Sequence, residues 1–127
     1  MEIGPRSGGD LTPEAIGYCS GFNMLHSTYD FLFGKPVIVE NRQRYPTLLY
    51  SLHSNRAGIF KGFELNNELK PFVKEEQLFV KPGETVKPFN EPGSTLGVLI
   101  LSFPDFDVAD VYLDNLYHSL QESVKLA

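Results

Sequence analysis

Apolar positions in this chain keep one period at its two ends and another in the middle. Between residues 12 and 33 they recur at helical spacing, between 47 and 103 they alternate or run together as in strands, and after 105 the helical spacing returns. Thr12 offers a cap, Pro13 suits the first helical position, and Glu14 places negative charge where the helix dipole favours it. A short helix is therefore predicted to start there and to stop at Ser20-Gly21. Asn23 caps a second helix in which Leu25, Tyr29, Leu32 and Phe33 share one face at i, i+4, i+7 and i+8. Gly34 ends it and Pro36 prevents its resumption.

Thr47 to Ser54 alternates, with Leu48, Tyr50 and Leu52 on one side, and predicts a strand. Gly58 to Phe63 and Glu76 to Val80 read as two more, and Lys81-Pro82-Gly83-Glu84 and Glu91-Pro92-Gly93-Ser94 as turns. Asn66 to Pro71 is expected to be a flexible loop. Leu96 to Phe103 is almost wholly apolar, as in a strand buried on both faces. Asp105 to Asp107 caps a last helix with Leu113, Leu116, Tyr117, Leu120 and Val124 in one stripe. The order of helix, helix, several strands and helix predicts one α+β domain with a mainly antiparallel sheet, two short N-terminal helices and a C-terminal helix.

Composition narrows the class. At 127 residues, 42% hydrophobic and 21% charged, the chain can bury a moderate core as one soluble domain. A net charge of −5 argues against nucleic-acid binding, which needs clustered Lys and Arg. A single cysteine excludes an intrachain disulfide and suits a reducing cytoplasm. The apolar run at Leu96 is too short to span a bilayer, and no signal-peptide pattern opens the chain.

The candidate chemistry lies at the start, in Glu2-Ile3-Gly4-Pro5-Arg6-Ser7-Gly8-Gly9-Asp10. Glu2 offers a hard oxygen ligand for a divalent ion, and Arg6 a fixed cation with a bidentate fork for phosphate or carboxylate. Gly8 and Gly9 allow close backbone approach, and amides ahead of the Thr12 helix could cradle an anion. On residue types alone, a solvated turn accounts for the same stretch. Elsewhere, His26, His53 and His118 share no metal-ligand spacing. His26 and His118 fall on helices as surface or half-buried residues, and His53, on a strand, is the one best placed to face a substrate. Cys19 reads as a small core residue rather than a nucleophile. Asp105, Asp107 and Asp110 are explained by helix capping and the first-turn dipole.

Glu2-Ile3-Gly4-Pro5-Arg6, followed by Gly8-Gly9-Asp10, Thr12-Pro13-Glu14 and Tyr18 to Met24, resembles the E-x-N-P-R segment and following helix of ATP-grasp ligases. The branch resembled is that of biotin carboxylase, carbamoyl-phosphate synthetase and carboxylate–amine ligases. Ala57 to Gly62, Leu78 to Val86 and Gly97 to Leu101 resemble, in order, strands and turns of that family's C-terminal lobe. The chain departs from the pattern at Gly4, which stands where the family has a metal-ligating Asn, and at Thr95, where an Arg often precedes the later glycine.

The resemblance implies that residues 1–36 end the catalytic core and residues 37–127 form a β-rich lobe of a single partial domain, 1–127. It further implies that Glu2 holds Mg²⁺ or Mn²⁺, that Arg6 is catalytic, and that Ser7, Gly8, Gly9 and Asp10 shape the binding loop. ATP and the metal would belong to the intact enzyme, which activates a small-molecule carboxylate as an acyl phosphate for an amine or similar nucleophile. The partner is then a missing N-terminal ATP-binding lobe, and the chain alone is expected to be inert. Two alternatives are a non-catalytic binding module, in which Glu2 and Arg6 are dispensable, and a dimerisation lobe pairing as a homodimer. The expected location is cytoplasmic, with neither nucleic acid nor membrane as partner.

Overall fold

The computed structural model describes residues 9–39 and 44–127. Two short helices, α1 (Thr12–Ser20) and α2 (Met24–Leu32), precede strands β1 (Thr47–Leu52), β2 (Gly58–Phe63), β3 (Val73–Leu78), β4 (Thr85–Val86) and β5 (Gly97–Ser102). A long helix, α3 (Phe106–Ser123), and a last strand, β6 (Val124–Leu126), complete an α+β fold. The strands form two antiparallel three-stranded sheets, ordered β1-β5-β3 and β4-β2-β6.

Strand β5 is the centre of the first sheet, and all six of its residues are buried, as its uninterrupted apolar run predicts. Leu99 and Leu101 point into the main core with Leu52, Phe60, Leu116 and Leu120. Val98 and Ile100 turn to the opposite face, where α1 lies against β1 and β5. Gly97 is required where β5 meets β3. A Cβ there would run into the Gln77 carbonyl oxygen and lie 3.1 Å from the Leu78 Cα.

Helix α3 enters on the predicted cap, with Asp105 Oδ1 accepting the Val108 amide at 2.8 Å. Its buried line is Ala109, Leu116, Leu120 and Ser123, while Leu113 and Tyr117 from the predicted stripe are exposed. Val124 belongs to β6 rather than to the helix, and β6 pairs with β2 across an irregularity between Phe60 and Gly62. The buried hydroxyls are all answered. Ser54 Oγ donates to the Arg56 carbonyl (2.7 Å), Ser123 Oγ to the Ser119 carbonyl (2.7 Å), and Ser102 Oγ accepts from Thr47 (3.1 Å).

Four expectations are corrected. The strand expected at Glu76 to Val80 begins three residues earlier and ends at Leu78. It is a sheet edge, where charged residues such as Lys74, Glu75 and Glu76 are tolerated and hide the strand in an apolar reading. The expected flexible loop at Asn66 to Pro71 is a compact turn: Leu69 is buried, and Asn66 Oδ1 accepts the Glu68 amide at 3.1 Å. Phe72, at the end of this turn, packs at a tilt on Phe103 and edge-on to Tyr112, with ring centroids 4.7 and 5.4 Å away. Cys19 is exposed rather than part of the core.

The fourth correction concerns α2. Asn23 caps it as predicted, its Oδ1 accepting the His26 amide at 2.8 Å. Its apolar stripe nevertheless faces away from the chain, and none of its residues is buried. The half-buried positions are Met24, Ser27 and Asp30. Periodicity defined the stripe, but a stripe needs a surface to pack against, and the described residues supply none.

Candidate functional site

The described part of the candidate site is the turn that leads into α1. The amide and the hydroxyl of Thr12 both donate to the Gly9 carbonyl, at 3.0 and 2.6 Å. Thr12 is thus the first helical residue and closes the turn backwards, instead of capping the helix as expected. The cap position falls to Leu11, whose side chain cannot cap. Asp10 and Leu11 both hold left-handed backbone, with φ of 53° and 62°. Such conformations at non-glycine residues cost about 1–3 kcal/mol and concentrate at functional sites. This turn sets the direction in which the chain enters α1, and it holds Asp10 exposed at the helix start beside the acidic Glu14.

Of the residues expected to bind or react, Gly9 and Asp10 lie in this turn, while Glu2, Arg6, Ser7 and Gly8 lie outside the described residues. Among the described residues, no group of three or more His, Cys, Asp or Glu side chains could hold a metal ion. Asp105 caps α3, and Asp107, Asp110 and Asp114 are exposed along it.

Two concavities flank α1. An open groove of about 360 Å³ runs from Pro13 and Glu14 past Tyr18 to Asn23 and Leu25. On the sheet side, a cavity of about 480 Å³ is lined by Tyr18, Tyr45, Phe72, Lys74, Ser102 and Phe103. Its volume is in the range of small-molecule sites, but Tyr18 stands six residues beyond Thr12, about 9 Å along the helix axis. The cavity is therefore separate from the candidate turn. Tyr18 joins the helix to the sheet by donating its phenol proton to Glu75 Oε1 at 2.6 Å. The hydrogen bond to Glu75, followed by burial and the Glu75 charge, raises the Tyr18 pKa above its ordinary value.

His53 is held in an internal network rather than presented to a substrate. Its Nδ1 lies 2.8 Å from the Ser51 carbonyl, which can only accept, so the proton sits on Nδ1. Its Nε2 then accepts from Gln121 Nε2 at 3.0 Å, and the same amide nitrogen donates to the Tyr50 hydroxyl at 2.7 Å. The Phe89 ring covers the imidazole, with centroids 4.8 Å apart. Burial raises the Tyr50 pKa, partly offset by the Gln121 hydrogen bond, with Tyr117 adding to the rise. His26 and His118 sit on exposed helix faces, paired with Asp30 (3.0 Å) and Glu122 (3.1 Å). The Tyr18–Glu75 and His53–Gln121 links span 57 and 68 residues. No local pattern in the sequence could have announced either.

No helix among the described residues is long and apolar enough to cross a membrane. No family model matches the sequence, and no curated protein matches it. Its fold does have a counterpart among solved structures: the crystal structure of phosphoribosylglycinamide synthetase from Anaerococcus prevotii. The two superpose with a TM-score of 0.69 at 15% sequence identity, over 94% of this chain. The likeness is one of fold, and the chain spans 31% of the length of that protein.

Proposed function

We propose that this chain is the C-terminal region of an ATP-dependent ligase that activates a carboxylate as an acyl phosphate for attack by an amine or similar nucleophile. The observation that carries this reading is the asymmetry of the fold likeness, which takes in 94% of this chain but only 31% of the synthetase. The name of that synthetase describes the making of an amide of glycine, the product class of a carboxylate–amine ligase.

In this reading residues 1–36 end the catalytic core and residues 37–127 form the β-rich lobe. ATP and a divalent ion supply the phosphoryl chemistry when bound. Glu2 holds the ion together with ligands from the missing lobe. Arg6 faces the anionic phosphate or carboxylate as a planar bidentate donor. Ser7 to Asp10 shape the acceptor side, next to the left-handed backbone at Asp10 and Leu11. The missing lobe supplies the nucleotide site, so the chain alone is expected to be inert.

The test starts with the intact mass of the native gene product and the reading frame around residue 1. ATP consumption is then measured in a screen of small carboxylates with ammonia and amines. The expected result is a longer product, or a partner chain, that releases ADP only when a carboxylate and a nucleophile are both present. A native product of this chain alone, without partner and without ATP binding, would overturn the reading and leave a non-catalytic binding module in its place.

A further inference from the structure

Helix α2 is amphipathic, but its apolar face is the one turned outward. Leu25, Tyr29, Leu32 and Phe33 form one face by their spacing. In the structure Tyr29 is 63%, Leu32 70% and Phe33 77% exposed. The opposite face, with Met24, Ser27 and Asp30, is the one turned half inwards. The segment that follows returns along that opposite face, where Pro36 and Ile38 line a groove with Ser27 and Asp30 and leave the stripe uncovered. An exposed apolar stripe of this kind marks an interface. Asp30 belongs to the opposite face, 3.0 Å from His26 and 3.7 Å from Lys35.

Resting on the ligase reading above, we infer that the outward face of α2 forms the docking surface for the nucleotide-binding lobe. Two observations select this occupant. First, more than two thirds of the synthetase that shares this fold lies outside the stretch matched here, so a larger body belongs beside this one. Second, the patch is continuous with the candidate site. The open groove from Pro13 and Glu14, next to the Asp10 turn, ends at Leu25, the first residue of the exposed stripe. A lobe seated on α2 is thereby brought alongside the turn that leads from Arg6, where both halves of a ligase site have to meet. A second copy of the chain on the same stripe would cover the apolar surface but bring no nucleotide site to it.

The test is hydrogen–deuterium exchange of residues 24–39 in the native gene product, with whatever chain accompanies it, and in the 127-residue chain. ATP binding by the native product and sedimentation of the short chain are measured in parallel. The expected result is exchange about tenfold or more slower in the native product, which binds ATP. The double substitution Tyr29→Ser, Phe33→Ser should abolish that protection while leaving thermal unfolding of the short chain unchanged, because both side chains are already exposed in it. An ATP-binding native product in which residues 24–39 exchange as fast as in the short chain overturns the docking surface and leaves the ligase reading standing. Protection gained by self-association of the short chain overturns the assigned occupant. A native product that neither binds ATP nor protects the patch overturns both readings.

Discussion

The Tyr18 hydroxyl lies 2.6 Å from Glu75 Oε1, and this bond ties α1, the helix that follows the candidate turn, to the edge strand of the first sheet. Replacing Tyr18 with Phe keeps the ring and removes the bond. A hydrogen bond to a charged group is worth about 1.5–3 kcal/mol, and partial exposure reduces this, so about 1 kcal/mol of destabilisation is expected at neutral pH. Urea unfolding of the two proteins measures it.

The same bond has a pH signature. The folded-state pKa of Tyr18 is raised from 10.0, so its contribution is fully present below that value and is lost as pH rises through the folded pKa. The stability difference between wild type and Tyr18→Phe should therefore shrink at strongly alkaline pH. A difference that stays constant into that range would show that the phenol proton is not part of the interaction.

Gly97→Ala should be among the most damaging single-methyl changes in the chain. The new Cβ meets backbone atoms of Gln77 and Leu78, which cannot swing aside as a side-chain tip could. Overpacking of this kind costs about 1–3 kcal/mol, and a backbone clash at a central strand belongs at the top of that range. Thermal unfolding reads the loss. Gly9→Ala, where a Cβ meets nothing within 4 Å, is the matched control.

Gln121→Ala removes the one amide that serves both His53 and Tyr50. Leaving half-buried polar groups without their donor costs about 1–3 kcal/mol. If the network is structural, as the geometry indicates, stability falls while ligase activity of the native product persists. A large fall in turnover with unchanged stability would return His53 to the substrate side.

Arg6→Lys in the native gene product keeps the charge but removes the planar fork. On the proposed function, turnover should fall by about 10²–10³-fold, the usual cost of losing a donor to developing charge. Steady-state kinetics with ATP and the carboxylate found in the screen would check it, and full activity would remove Arg6 from the site.

Local signals in the chain were legible where a residue acts within its own neighbourhood. Asn23 and Asp105 cap the helices they were expected to cap, Gly21 and Gly34 end theirs with positive φ, and the unbroken apolar run of β5 is buried on both faces. The reading failed where a remote partner decides. Strand β3 was misplaced because its charged residues are those of a sheet edge, and being an edge is a property of the whole sheet. Strand β6 was hidden because Val124 continues the spacing of α3 until its pairing with β2 takes over. Of the candidate site, Gly9 and Asp10 were singled out by the spacing of the opening motif and its resemblance, but the left-handed turn at Asp10 and Leu11 was not foreseen. Nothing in a Leu side chain announces that conformation.

The sequence by itself determined the α+β class, the caps at Asn23 and Asp105, the stops at Gly21 and Gly34, and which face of each helix is apolar. These follow from backbone sterics, hydrogen-bonding reach and hydrophobic spacing within a few residues. Only the tertiary structure decided that β5 is the strand around which β1 and β3 assemble, and that Tyr18 reaches Glu75 and Gln121 reaches His53. It also decided that the apolar face of α2 is left turned outward. Each of these depends on surfaces brought together from distant parts of the chain, and a spacing rule says that a face is apolar without saying what will cover it.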